Sequence, residues 1–257
     1  STAPLADAAE AVTDPQIREW VSRESQHVLA GLWETLDCTW IPGKPRDVAR
    51  AENKLYQLDL AARLGFSIPH TVIGNSPESF RAMYSEAEGQ RVTKAAEPEV
   101  FIQGERYFTG YTHVVNRRDL ANHSSLRLAP AIMQEYIPKR VELRVNVVGS
   151  QVFAAEIHSQ ATASTKYDWR RYDLDRTPHL PHQLPSTVES RCVELVRTLR
   201  LTFGAIDMIL TPSGEYVFVE INANGQWGWI QDLTGLPIAD AIVDLLAAGE
   251  ASAANGG

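Results

Sequence analysis

The stretch FGAIDMIL (Phe203–Leu210), TPSG (Thr211–Gly214) and EYVFVEIN (Glu215–Asn222) decides the fold. Two runs rich in β-branched and aromatic residues flank a Pro-Ser-Gly turn, the pattern of an antiparallel hairpin. With Leu210 set opposite Glu215, Asp207 falls opposite Phe218 and diagonal to Glu220, and Asp207, Glu220 and Asn222 share one face. Diagonal positions sit about 7–8 Å apart, so the two carboxylates can share one or two metal ions. The other face, Ile206, Met208, Leu210, Val217, Val219 and Ile221, is a core face. Acids beside such a core are costly without a cation. Carboxylates with an amide offer only oxygen, which favours magnesium over zinc. A half-exposed hairpin with solvated acids would carry the same letters.

Upstream, VELRVNVV (Val141–Val148) and QVFAAEIH (Gln151–His158) flank Gly149-Ser150, a hairpin with a two-residue primed turn. Its register puts Glu142, Arg144 and Asn146 in one polar stripe and Leu143, Val145 and Val147 in a buried one. The polar stripe suits a ribose and a phosphate, or a wet outer face. Helical spacing runs from Pro15 to Leu36 and from Ala51 to Leu64, and Asn75-Ser76-Pro77-Glu78 opens another helix with Pro in its first turn. Extended segments are expected at Ser67–Ile73, Arg91–Lys94 and Pro130–Ile137, with Lys94–Leu128 the least regular part. Ser186 and Glu189 read as a capping box for a helix to Leu201, and Pro237–Ala248 as a closing helix. The fold class is α+β.

The 257 residues allow one large domain or two modest ones, and the net charge of −8 argues against an electrostatic nucleic-acid binder. No apolar run nears the ~20 residues of a membrane span, and the first residues carry no secretory signal, so a cytoplasmic protein without membrane or nucleic-acid partners is expected. Two cysteines, Cys38 and Cys192, cannot build a disulfide framework; Cys192 reads as a core residue in a helix. His179 and His182 lie in what interleaved prolines should make an extended loop, with no cysteine near, poor material for a zinc site. Trp227 and Trp229 serve either a substrate platform or the core. There is no P-loop, nucleophile elbow or paired-glycine dinucleotide fingerprint.

The order of motifs is more specific than any one of them. Asn53-Lys54 opens a helix, Gly65-Phe-Ser-Ile-Pro69 follows, and Lys94 comes about forty residues later; then come IMQEYIPK (Ile132–Lys139), Glu142-Leu-Arg144, Asp207 and Glu220-Ile-Asn222. From about Ala51 to Ala248 the series resembles the ATP-grasp ligases, most closely the branch that modifies ribosomally made peptides, the microviridin-type graspetide cyclases and related maturases. The closer likeness lies in Asn53–Leu58, Pro69-His-Thr71, Gln134–Arg144, Phe153-Ala-Ala155 with Ser159-Gln160, Tyr167–Arg170 and Glu220–Gln226.

The resemblance implies an ATP-grasp fold: two α/β lobes with antiparallel sheets clasping ATP. The expected division is a tail at 1–14, a remnant of the N-terminal domain at 15–50, a small lobe at 51–133, a large lobe at 134–249 and a tail at 250–257, most of the N-terminal domain being absent. It implies that Lys54 and Lys94 meet nucleotide phosphates. Gln134, Glu135, Tyr136 and Ile137 form the hinge at adenine, and Glu142 holds the ribose. Asp207, Glu220 and Asn222 hold magnesium, with two ions expected. Arg144 and Arg170, with Lys166 a looser candidate, neutralise phosphate or the activated carboxylate. The family usually has a glycine-rich loop after the second lysine, where this chain has the glycine-poor Lys94–Glu99. The implied activity turns Asp or Glu side chains of a precursor peptide (leader plus core) into acyl phosphates and couples them to Thr or Ser hydroxyls or Lys amines, in a possible homodimer. The alternatives are a ligase adding amino acids to a peptide or protein and a non-catalytic nucleotide- or peptide-binding protein.

Overall fold

The structure, a computed structural model, describes residues 12–85, 89–96, 100–103, 106–109, 112–121, 125–159 and 177–254. A five-stranded antiparallel sheet carries most of the core. Its strands are β7 (Val141–Val148), β8 (Gln151–Ile157), β9 (His179–His182), β10 (Phe203–Leu210) and β11 (Tyr216–Asn222), in the order β11-β10-β7-β8-β9. A four-stranded antiparallel sheet, β1 (Thr71–Gly74), β6 (Ala131–Glu135), β2 (Arg91–Lys94) and β5 (His113–Val114), stands beside it in the order β1-β6-β2-β5. A separate hairpin pairs β3 (Val100–Gln103) with β4 (Arg106–Thr109).

The β7–β8 register is the expected one, with Val148 opposite Gln151 and Gly149 at φ +58 in the turn. Leu143, Val145 and Val147 are buried against Ile206, Met208, Leu210 and helix α6 (Ser186–Thr198), whose Cys192 and Leu195 are fully enclosed. Burial pushes the Cys192 thiol up to about 12, while Cys38 is exposed. On the other face, α7 (Gly228–Thr234) and α8 (Ile238–Ala254) cover Val148, Phe153, Phe203 and Ala205. Trp227 and Trp229 pack against this second cluster, and the His179 ring meets Trp229 edge-on.

The β10–β11 hairpin departs from its expected register. Leu210 faces Tyr216, not Glu215, so the connection is one residue longer than the turn alone. A regular ladder from that start would set Glu220 opposite Ile206, on the core face. A bulge at Val219 restores the side: Met208 pairs with Phe218, Asp207 with Glu220 and Ala205 with Asn222. Phe218 therefore enters the core in place of Val217 and Val219, and Asp207 stands directly opposite Glu220 rather than diagonal to it.

Three helical expectations also shift, while the first helix stands where expected. The helix over Ala51–Leu64 is two, α2 (Pro45–Ala51) and α3 (Lys54–Arg63), because the Asn53 side chain accepts from Tyr56 N–H and caps a fresh start. Ser186 is inside α6, whose N-cap is Pro185, so there is no capping box; Val188 and Glu189 donate to the Pro185 carbonyl. α8 continues to Ala254, past Glu250, through alanines of high helix propensity. Helix α1 (Pro15–Thr35) has an Asp14 cap and buries no residue, leaving Ile17, Trp20, Val28 and Leu32 exposed. No helix among the described residues is long and apolar enough to cross a membrane.

His179 and His182 form a strand, not a loop, at the sheet edge, where proline is tolerated. His182 bonds Glu156 at 2.7 Å and, at 3.0 Å, the hydroxyl of Tyr216 on the opposite edge strand. About 19 Å would separate those edges in a flat sheet, so the sheet curls around its core. Burial alone would raise the Glu156 carboxyl, but the hydrogen bonds and charge of His182 and His158 outweigh it and hold it below 4.5. A carboxyl lowered on folding adds stability above its unfolded value, and that stability is lost as pH falls through the folded one. Glu156→Gln should therefore be less stable than wild type above pH 4.5, with the gap closing on acidification; denaturant titrations across that range check it.

Candidate active site

The cleft between the two sheets holds a cavity of about 100 Å³ that opens to solvent. Its floor is the polar face of β7 and β10, its far wall is β2 with the end of β6, and β11 closes one flank. Lys94, Gln134, Glu135, Tyr136, Ile137, Glu142, Asp207 and Glu220 all line it. Lys54 and Arg144 reach the same carboxylates, so seven of the expected residues from four elements and the α3 start converge: Lys54, Lys94, Glu142, Arg144, Asp207, Glu220 and Asn222. Lys166 and Arg170 lie outside the described residues.

The carboxylates are desolvated and cation-bound. Lys54 Nζ is 2.5 Å and Lys94 Nζ 3.7 Å from Glu220 Oε2, all three side chains at most 12% exposed. Arg144 Nη1 donates to Asp207 Oδ1 at 2.7 Å, and Asn222 Nδ2 to Asp207 Oδ2 at 3.0 Å. Arg144 also reaches the Gln226 carbonyl at 3.4 Å. A Cβ at Gly225 would run into Ala205 and the Arg144 guanidinium, so only glycine lets the chain pass there. The stripe Glu142, Arg144, Asn146 is thus an inner surface: Arg144 is 5% exposed and Asn146 is fully buried.

Lys139, the last residue of the IMQEYIPK motif, has no role assigned from sequence. It is 3% exposed, and its Nζ meets Glu142 Oε1 at 2.7 Å. Burial pushes the Glu142 carboxyl up, against the pull of Lys139. Glu142 Oε2 is buried, and among the described residues no well-formed hydrogen bond reaches it, although the nearby Ser159 side chain also pulls the carboxyl down. Only the chain's sharp entry into β7 brings Lys139 back over Glu142, and three-residue spacing in an extended lead-in does not announce it. Of the hinge residues, Gln134 is tied to Thr71 by its side chain, while the Glu135 and Tyr136 N–H groups donate to the His70 and Gln90 carbonyls. No backbone bond among the described residues engages the Ile137 N–H.

The donor set fits a hard divalent ion. Asp207, Glu220 and Asn222 bring only oxygen to one face, and lysine and arginine side chains hold the two carboxylates. No cluster of three or more His, Cys, Asp or Glu suited to a metal occurs among the described residues, so the amide of Asn222 is needed to complete the set.

No protein-family model matches the chain. It superposes on the Chryseobacterium gregarium RiPP-associated ATP-grasp ligase, solved with ADP and a leader and core peptide, with a TM-score of 0.85 and 33% identity, covering 93% of this chain and 72% of that one. The macrocyclase MdnB from Microcystis aeruginosa MRC gives 0.73 and 36%, covering 91% and 72%. Among curated relatives, a "Probable alpha-L-glutamate ligase" of Klebsiella pneumoniae is 25% identical over 76% of this chain. The chain spans 55% to 64% of the length of the curated relatives it matches. Fold and cleft together define an ATP-grasp ligase. Within that class the chain belongs to the RiPP-associated ATP-grasp ligases.

Lys139→Met leaves Glu142 buried without its counter-charge. Its carboxyl should then titrate at higher pH than in wild type. The pH at which the protonated-carboxyl infrared band disappears, assigned by a Glu142→Gln difference spectrum, checks this.

Proposed function

We propose that the protein is an ATP- and magnesium-dependent maturase of a ribosomal precursor peptide. It activates Asp or Glu side-chain carboxylates as acyl phosphates and joins them to Thr or Ser hydroxyls or Lys amines as macrocyclic esters or amides. The observation that carries this reading is the buried set of two carboxylates and one amide, Asp207, Glu220 and Asn222, faced by Lys54, Lys94 and Arg144.

Bound magnesium–ATP supplies the phosphoryl group that makes the peptide carboxylate a good acyl donor. Asp207, Glu220 and Asn222 would hold the metal, with two ions expected. Lys54 and Lys94 then turn from Glu220 to the nucleotide phosphates, so the site exchanges ion pairs without exposing a bare charge. Glu142 would accept from the ribose, with Lys139 beside it as its counter-charge, and the hinge Gln134–Ile137 would meet adenine through the backbone, with Ile137 N–H the available donor. Arg144, with Arg170 and the looser candidate Lys166, neutralises charge developing on the transferred phosphoryl and the activated carboxylate. The site must keep water from the acyl phosphate, which would otherwise hydrolyse. The partner is a precursor peptide with leader and core, the protein works as a homodimer, and it acts in the cytoplasm.

The glutamate ligases among its relatives favour a second reading, addition of amino acids to a peptide or protein. The products separate the two. Incubation with ATP, magnesium and the precursor encoded beside its gene should remove one water per crosslink, read by mass spectrometry. A mass gain that needs free amino acid would establish the second reading instead. Asp207→Asn and Glu220→Gln should each lower turnover by about 100-fold or more; full turnover in both would end the catalytic reading.

A further inference from the structure

Gln57 lies on α3 one turn after Lys54 and is 2% exposed. Its amide is engaged at both ends. Nε2 donates to the Ala51 carbonyl at 2.6 Å and the Ile221 carbonyl at 2.8 Å, while Oε1 accepts from the Ile221 N–H at 3.1 Å. These partners fix which end is nitrogen, since the carbonyls need donors and the N–H needs an acceptor.

Ile221 sits on β11, the edge strand of the five-stranded sheet. An edge residue has an N–H and a C=O with no neighbouring strand, and burying them unpaired is costly. A primary amide presents acceptor and donor side by side, as a strand would, so Gln57 acts as a one-residue β partner. The Ile221 side chain points into the core at 1% exposure, and its neighbours Glu220 and Asn222 point into the cleft. Clamping Ile221 therefore fixes the backbone between two proposed metal ligands.

We infer that Gln57 is a positioning residue: it sets the spacing of Glu220 and Asn222 for the metal and keeps α3 docked while Lys54 leaves Glu220. This rests on the proposal above that those two side chains bind magnesium. The Lys54–Glu220 ion pair and the Gln57 clamp both join the start of α3 to β11. The first must break when Lys54 turns to a phosphate. The second is neutral and indifferent to that exchange, so it holds the helix through it. Only glutamine has the reach and both hydrogen-bonding functions; asparagine is a methylene short, and glutamate lacks the donors.

The test is ADP binding by calorimetry, with magnesium and with EDTA, in wild type, Gln57→Met, Gln57→Glu and Leu58→Ala. Gln57→Met should weaken magnesium-dependent ADP binding about 10- to 100-fold, the range for groups that orient metal ligands, and weaken binding in EDTA much less, so that the magnesium effect shrinks. Gln57→Glu keeps the length and the acceptor but loses both donors, so it should shift the same way, and it serves if the methionine variant does not fold. Leu58→Ala removes a core contact from the same helix; it should lower Tm without altering the magnesium effect. A wild-type magnesium effect in both Gln57 variants, or an equal loss in Leu58→Ala, would overturn the positioning role. If magnesium does not strengthen ADP binding in wild type, the metal reading itself falls and takes this role with it.

Discussion

A charge taken out of water must find an opposite charge, and this cleft is organised by that demand. Lys54, Lys94, Lys139 and Arg144 meet Glu142, Asp207 and Glu220 in a space where every one of these side chains is at most 15% exposed. The cations and acids come from different parts of the chain. Lys54 opens a helix, Lys94 belongs to the four-stranded sheet, and Glu220 belongs to the edge of the five-stranded one. The ion pairs can form only if both sheets and α3 arrive in register, which couples the placement of the elements to the electrostatics of the gap between them. Such a network is weak evidence for stability, since breaking any pair strands its partner. What it provides is exchange: a cation and an anion arriving together can replace two internal pairs at once.

The hairpin that carries Asp207 and Glu220 shows how finely that placement depends on counting. The connection from Leu210 to Tyr216 shifts the pairing by one residue, which would send Glu220 into the apolar core. Val219 is the extra residue that shifts it back. Two offsets of opposite effect leave the three oxygen donors on one face and Phe218 on the other. The sequence shows alternation on both sides of this point and no mark at it.

Alternation and turn chemistry made both hairpins legible, along with the polar stripe Glu142–Asn146 and the facing Leu143–Val147. The order of Lys54, Lys94, Glu142, Arg144, Asp207 and Glu220 identified the class before any contact was seen. What stayed hidden depends on contacts distant in sequence or on a single backbone step. Lys139 and Gln57 look like ordinary polar residues until burial at 3% and 2% exposure shows what they hold. The break between α2 and α3 turns on one capping side chain, Asn53, within a stretch that otherwise reads as continuous helix. The start of α6 differs by one residue for a similar reason, because the Pro185 carbonyl takes the N–H groups that a serine hydroxyl was expected to take.

The two thiols have opposite fates. Cys192 is fully buried in α6 and its thiol is pushed up to about 12 by that burial, so it is silent toward alkylating reagents. Cys38 stands exposed between α1 and α2. The folded chain is therefore a natural single-thiol protein. A maleimide dye attaches at one defined point, away from the cleft, with no cysteine needing to be engineered in or out.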